Sequence, residues 1–251
     1  MGDSVYLEKY LNELRAVLDA IEREQAGNIR RAAELVSRAI ASGGIVHVFG
    51  SGHSHLIAEE AFYRAGGLAA VNPILDERLI FLRGVLESTR AERESGLAAA
   101  LLSRQTVQAE DVAVIVSNSG INAAPVEMAL EMKTRNVPVI AITNVRQSAA
   151  TPTRHPSGRL FEIAEVVIDN CVPSGDAVIE IAGTAHKAGP ASTIAGATIM
   201  NAIMIEAAAT LAVSGSEPPL FPSANVQGTT EETLAGILRP YRSRIRYIDV
   251  A

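Results

Sequence analysis

Two short segments hold the residue types that could do chemistry together. They are Gly50-Ser51-Gly52-His53-Ser54 and Ser117-Asn118-Ser119-Gly120. Each follows a run of β-branched residues and precedes a helical pattern. A helix N-terminus presents free N–H groups and a partial positive charge, which suit a phosphate. Glycines let the backbone come close, and serine hydroxyls add donors. Two such turns facing one crevice could hold a phosphate and part of a sugar without any Arg or Lys. Each turn alone is ordinary capping chemistry, so the weight lies in the pair.

Other motifs fail at the first turn. A dinucleotide fingerprint needs a third glycine where His55 stands and an acid where the second strand gives Val71-Asn72-Pro73. A nucleophile elbow around Ser54 would need glycine at Leu56. A Walker loop would need Gly-Lys-Ser/Thr, which the chain lacks.

The elements that must position these turns are read from periodicity. Strands are expected at 45–49, 69–71, 112–116, 137–142 and 164–168, with Asn72-Pro73 ending the second. Helices are expected at 54–65, 91–104 and 123–135, and from Gly189-Pro190-Ala191-Ser192-Thr193 to about Val213. Residues 177–181 add a strand or hairpin. Strands alternating with helices predict βαβ units and a parallel sheet covered on both faces. In such a sheet, ligands bind beyond the C-terminal strand ends, where the strand order reverses. Ahead of the sheet, Leu7, Leu11, Leu14, Leu18 and Ile21 mark an amphipathic helix over 3–25. Gly27 interrupts it, and a second helix runs from Ile29 to Ile40. The heptad-like stripe packs either on its own domain or on a second subunit. The tail from Ser214 carries prolines, an exposed Phe221 and a basic end.

The net charge of −6, with no long basic run, argues against nucleic acid and anionic membranes as partners. The single cysteine, Cys171, allows no intramolecular disulfide and fits a reducing cytoplasm. The apolar stretch 194–213 is interrupted by Asn201 and Glu206 and reads as a buried helix.

The two turns resemble those of the SIS (sugar isomerase) domain, with its Gly-x-Gly-x-Ser and Ser-x-Ser-Gly-x-Thr turns. The likeness spans roughly 35–215. Leu56-Ile57-Ala58-Glu59-Glu60 is similar to isomerases of the arabinose-5-phosphate type. His155-Pro156-Ser157-Gly158, Asp169-Asn170, Gly175-Asp176, Gly189-Pro190, Ser192-Thr193 and Pro218-Pro219-Leu220-Phe221 resemble a bacterial family of SIS proteins with no established reaction. One position departs: the Thr of the second turn is Asn122.

The resemblance implies a three-layer α/β/α sandwich with a five-stranded parallel sheet, plus N-terminal helices. It implies a helical segment 1–43, a phosphosugar-binding domain 44–215, and a tail 216–251 packed on the domain or a neighbouring subunit. The phosphate and sugar ligands it points to are Gly50, Ser51, Gly52, Ser54, Ser117, Asn118, Ser119, Gly120, Asn122, Ser192 and Thr193. Aldose–ketose isomerisation moves a proton through an enediol and needs a base near carbon and an acid near oxygen. Glu59 or Glu60 would be the base, only one of them facing the crevice, because neighbours lie about 100° apart on a helix. His53 would serve ring opening, and His186 would be lent to a neighbouring subunit's site. His47 reads as a hydrogen-bonded core residue and His155 as a loop residue.

His55 and Glu59 stand at zinc-ligand spacing. Phosphoheptose isomerase, another SIS member, uses His and Glu on the corresponding helix, but further along it, so no metal and no cofactor is expected here. Asp169, Asp176 and Glu180 form either a second polar cluster or ordinary turns. The expected protein is a cytoplasmic homodimer or homotetramer that isomerises a sugar phosphate. An etherase of the N-acetylmuramic acid 6-phosphate type and a non-catalytic phosphosugar sensor are the alternatives.

Overall fold

The computed structural model describes residues 5–250. Five parallel strands form one sheet: β1 (Val46–Gly50), β2 (Val71–Ile74), β3 (Val112–Val116), β4 (Val139–Thr143) and β5 (Val166–Asp169), in the order β2-β1-β3-β4-β5. The strands are short β-branched runs buried on both faces, as a covered parallel sheet requires. Val46, Val48, Val112, Val114, Ile140 and Ile142 point to one layer of helices. That layer is α1 (Val5–Ala41), α2 (His55–Ala61) and α8 (Ser192–Val213). Phe49, Ala113, Ile115, Val139 and Ala141 point to the other layer. It comprises α3 (Val85–Ala91), α4 (Leu97–Leu102), α5 (Ala123–Thr134) and the single turn α7 (Leu160–Ile163). α6 (Val145–Ala150) follows β4 directly, and α9 (Glu231–Leu238) lies in the tail. The three-layer α/β/α sandwich is therefore the observed architecture.

Several local expectations change. The two N-terminal helices are one, because α1 runs unbroken through Gly27. Glycine costs a helix interior about 1 kcal/mol, and burial of Ile21 and Ile29 on either side in the main core outweighs it. α1 ends where Gly43 takes φ +79° and donates to the Ile40 carbonyl. Asn72-Pro73 lies inside β2 rather than ending it. β2 is an edge strand, where a missing N–H can face outward. Of the helix expected over 91–104 only Leu97–Leu102 forms, as α4; α3 has already ended at Ala91, and α4 starts after Gly96, whose φ is +85° and whose N–H donates to Glu127 Oε2 at 2.7 Å. α2 stops at Ala61, earlier than expected.

Phe221 is 4% exposed, not exposed. Its backbone bonds to Gly66 and Gly67, and its ring meets Tyr63 edge-on. The tail then reaches the N-terminal edge of the sheet, where Arg244 Nη2 donates to both Asp111 oxygens at 2.7 and 2.8 Å. Asp111 also accepts from the Ile45 amide (2.9 Å) and bonds His47 Nε2 (3.0 Å). His47 is thus a buried core residue, with its other ring nitrogen on Asn72. α8 is long and apolar enough to cross a membrane by length and composition, but half of that span is buried inside the fold, on α1 and α2.

Candidate ligand-binding site

β1 leads on one side to β2 and on the other sits beside β3, so strand order reverses between β1 and β3. The crevice beyond their C-terminal ends is the switch point where open α/β sheets take ligands. Both Gly/Ser turns lie there, since one follows β1 and the other follows β3.

The first turn begins at Gly50, where a Cβ would fall 2.3 Å from the Ser54 carbonyl oxygen, so only glycine lets the turn close. Gly52 has φ +54° and donates its N–H to the Leu79 carbonyl at 2.8 Å. His53 and Ser54 line a narrow cavity with Asn118, Asn170, Ser192 and Thr193. The cavity's volume is about 20 Å³, room for a single water, so a sugar phosphate must open it or sit across its mouth. Of the other expected ligands, Ser51 turns away and donates to Glu92 Oε1 at 2.9 Å. Ser117 is buried and accepts from the Gly120 N–H at 3.1 Å, which tightens the second turn. Asn118 Oδ1 accepts from Asn170 Nδ2 at 2.7 Å. Ser119 is half-buried in the same turn.

Asn122 caps α5 in extended backbone. Its Oδ1 accepts from Arg154 Nη1 at 2.9 Å, leaving Nδ2 without a hydrogen bond among the described residues. A guanidinium therefore stands beside the second turn, which was expected to work without Arg or Lys. At α8 the N-terminal groups are already engaged. Asp176 Oδ1 accepts from the Ala191 and Ser192 amides at 3.0 and 2.7 Å, and Oδ2 from the Ser192 hydroxyl at 2.8 Å. A carboxylate is the natural partner of a helix N-terminus, and here it takes the place expected for the ligand's phosphate at Ser192. Thr193 lines the cavity without a side-chain hydrogen bond among the described residues.

Neither candidate base lines the cavity. Glu59 is exposed, with His55 Nε2 3.7 Å from its Oε1. His55 is committed to its own turn through Nδ1 and the Gly52 carbonyl. Glu60 pairs with Arg64 and accepts from Asn201 Nδ2 on α8 at 3.2 Å. His186 is exposed in the loop between β6 (Ala177–Ile179) and β7 (Ala188–Pro190), away from this cavity. Asp169, Asp176 and Glu180 do not form one cluster: Asp169 accepts from the Cys171 amide and Glu180 pairs with Lys187. Among the described residues, no group of three His, Cys, Asp or Glu side chains is arranged to hold a metal. Burial, then the carboxylates of Asp169 and Glu24, push the Cys171 thiol up to about 11, so it stays protonated at neutral pH.

Two contributors carry no sequence motif. Glu92 ties the first turn to the start of α5: its carboxylate accepts from Ser51 and its carbonyl from the Ala124 amide at 3.0 Å. Phe81 lays its ring 5.1 Å from that of His53. Both belong to the charged segment 76–94.

A doubly wound parallel sheet with paired Gly/Ser turns at its switch point defines the class of sugar-isomerase-like α/β domains. The SIS domain family model matches residues 9–144. A UPF0309 protein of Geobacillus thermodenitrificans is 39% identical over 240 residues, covering 95% of this chain and 96% of its own. One from Brucella canis is 40% identical over 237 residues, covering 94% and 96%. The chain belongs to the SIS-domain family and, within it, to the UPF0309 proteins. Among solved structures it is similar to phosphoheptose isomerase from Francisella tularensis (TM-score 0.53, 17% identity, 82% of this chain and 98% of that one). The enzyme from Neisseria gonorrhoeae is comparable (0.52, 16%, 80% and 97%). At these identities the likeness is one of fold.

Proposed function

We propose that this protein binds a small phosphorylated sugar across the two turns and isomerises it between aldose and ketose forms. One observation carries the reading: two glycine-dependent turns end adjacent strands β1 and β3 at the switch point and present hydroxyls, amides and one guanidinium there. The phosphate goes to the second turn, on Ser119, the Gly120 region, Asn122 Nδ2 and Arg154, because Asp176 occupies the N-terminus of α8. The sugar extends towards His53, Ser54 and Thr193.

Proton transfer falls to a carboxylate brought to the bound sugar. Glu59 and Glu60 on α2 are the proposed groups, with Glu60 nearer to α8. His186 is proposed to enter the site of a second copy. That role matches a cytoplasmic homodimer or homotetramer. Leu7 and Leu11 on α1 and Ile205 and Val213 on α8 are left exposed by the single chain, at 57%, 39%, 66% and 91%.

The test is a thermal-shift panel of sugar phosphates against their unphosphorylated parents. A ligand at a hundred times its dissociation constant stabilises by about 2.7 kcal/mol. Stabilisation by phosphorylated sugars alone, weakened in Ser119→Ala and in Arg154→Gln, is expected. The stabilising sugar is then assayed for conversion to its ketose or aldose partner. A panel with no phosphate-dependent shift refutes the reading.

A further inference from the structure

We infer that the flank of edge strand β2 carries a second anion site, distinct from the crevice, which takes a small organic phosphate. A cavity of about 600 Å³ lies there, walled by the segment after β2, the end of α4 and the C-terminal tail. Arg78, Arg83, Arg104 and Arg246 all line it, against only two carboxylates, Asp76 and Glu77. Arg83 is neutralised by Glu77 at 3.2 Å. Arg78 is held from outside the cavity by Glu94 and by Glu87. Arg104 and Arg246 have no carboxylate within ion-pair distance among the described residues.

These two guanidiniums come from segments far apart in sequence and meet in one concavity. Like charges gathered in a cleft raise its positive potential and concentrate anions. Guanidinium forks match phosphate oxygens in bidentate pairs. Arg104 and Arg246 are left to take the oxygens of a phosphate monoester, while Asp76, the lining carboxylate with no arginine partner among the described residues, offsets one of their charges. The volume is of the size that small-molecule sites have, roughly 300–1,000 Å³, so the ligand is larger than inorganic phosphate. Tyr247, with Leu75 and Ile80, supplies an apolar surface for the ligand's organic part.

The wall of this cavity is also the clamp on the first turn. Between Arg78 and Arg83 lie Leu79, whose carbonyl accepts from the Gly52 amide, and Phe81, which packs on His53. A ligand seated against this wall therefore borders two residues that touch the crevice turn, one through a hydrogen bond and one through ring packing.

Sodium pyrophosphate is the probe, followed by calorimetry and by hydrogen exchange with mass spectrometry. Wild type and Ser119→Ala are both expected to bind it and to show slowed exchange in peptides covering 75–83 and 244–248. The double variant Arg104→Gln/Arg246→Gln should bind at least about tenfold more weakly, as expected when charge-assisted hydrogen bonds are lost. Neither arginine side chain has a hydrogen-bond or ion-pair partner among the described residues, so the double variant's circular dichroism should be unchanged. The inference is overturned by absence of binding to wild type, by undiminished binding in the double variant, or by protection confined to 50–54 and 117–122. None of these outcomes depends on whether sugar phosphates bind the crevice, which Ser119→Ala reports separately.

Discussion

Gly120→Ala, measured beside Gly43→Ala, tests whether the second turn is built around an absent side chain. Both glycines sit in the left-handed region, at φ +60° and +79°. Both variants therefore carry the backbone penalty of a Cβ there, about 1–2 kcal/mol. They differ in surroundings. A Cβ at Gly43 meets nothing within 4 Å. A Cβ at Gly120 falls 2.9 Å from Thr143 Oγ1 and 3.3 Å from both Leu160 Cβ and Ser148 Oγ. Those two hydroxyls are buried without a hydrogen-bond partner among the described residues, so turning them aside breaks no bond, and the cost falls on packing. Leu160 and Thr143 are fully buried and have little room to move. Overpacking of that kind costs about 1–3 kcal/mol. The expected losses are about 1–2 kcal/mol for Gly43→Ala and about 2–5 kcal/mol for Gly120→Ala. Neither exceeds the 5–15 kcal/mol that holds a typical domain, so both should fold. Urea denaturation followed by circular dichroism gives the difference. The thermal shift produced by the stabilising sugar phosphate should vanish in Gly120→Ala and survive in Gly43→Ala, which lies before β1 at the opposite edge of the sheet. Equal destabilisation of the two variants, or a full ligand response in Gly120→Ala, would refute the reasoning.

Two further expectations concern stability. Burial alone would raise the Asp111 pKa, but the hydrogen bond from His47 and those from the Gln108 and Ile45 amides outweigh it and hold the carboxyl below its ordinary range. A carboxyl depressed by folding adds stability above its unfolded pKa of about 3.9, and that share is lost as pH falls through the folded value. The wild type should therefore lose urea resistance below about pH 4, and Asp111→Asn should lose less of it over the same range. At pH 7, Asp111→Ala should cost about 3–5 kcal/mol, because it removes the buried carboxylate that His47, two backbone amides and Arg244 all bond. Asp176→Ala removes the acceptor at the start of α8 and should cost about 1–2 kcal/mol by urea denaturation. An unchanged midpoint would show that the cap is dispensable.

The parts that the sequence announces are those made by neighbours in the chain. Val112 to Val116 is a β-branched run, and Ser117-Asn118-Ser119-Gly120 is its turn, so strand and turn could be read together. The same holds for β1 and the Gly50 turn. Gly27 misleads because propensity is a local term, while the helix through it is held by Ile21 and Ile29 packing in the core. Asn72-Pro73 misleads because proline is a strand breaker only where its N–H is needed, and edge position is a tertiary fact. Phe221 could not be placed because its partners, Gly66, Gly67 and Tyr63, are far away in sequence. Asp176 read as a turn residue, and it is one, with φ +68°; what its carboxylate reaches is set by how the β6–β7 hairpin returns to α8. Glu92 is legible only as one of the charged residues of 76–94 that could cover the site, and Arg154 has no signal, since a single charged residue outside any periodic pattern looks like solvated surface.

The placement of charge explains how an acidic chain could hold an anion. At the N-terminal edge, Asp111 is locked by Arg244, His47 and backbone amides. At the crevice between β1 and β3 the positive groups arrive singly: the guanidinium of Arg154 and the N-termini of α2 and α5. Asn122 sits between them. A threonine hydroxyl in its place would have one proton to give. The amide accepts from Arg154 through Oδ1 and keeps both Nδ2 protons free. The substitution thus trades a hydroxyl for an amide and recruits a full positive charge to the turn. On this account Asn122→Thr is not a neutral restoration of the family pattern. It should loosen Arg154 and weaken phosphate binding, while Asn122→Asp, which holds Arg154 more strongly but offers no proton, should weaken it further.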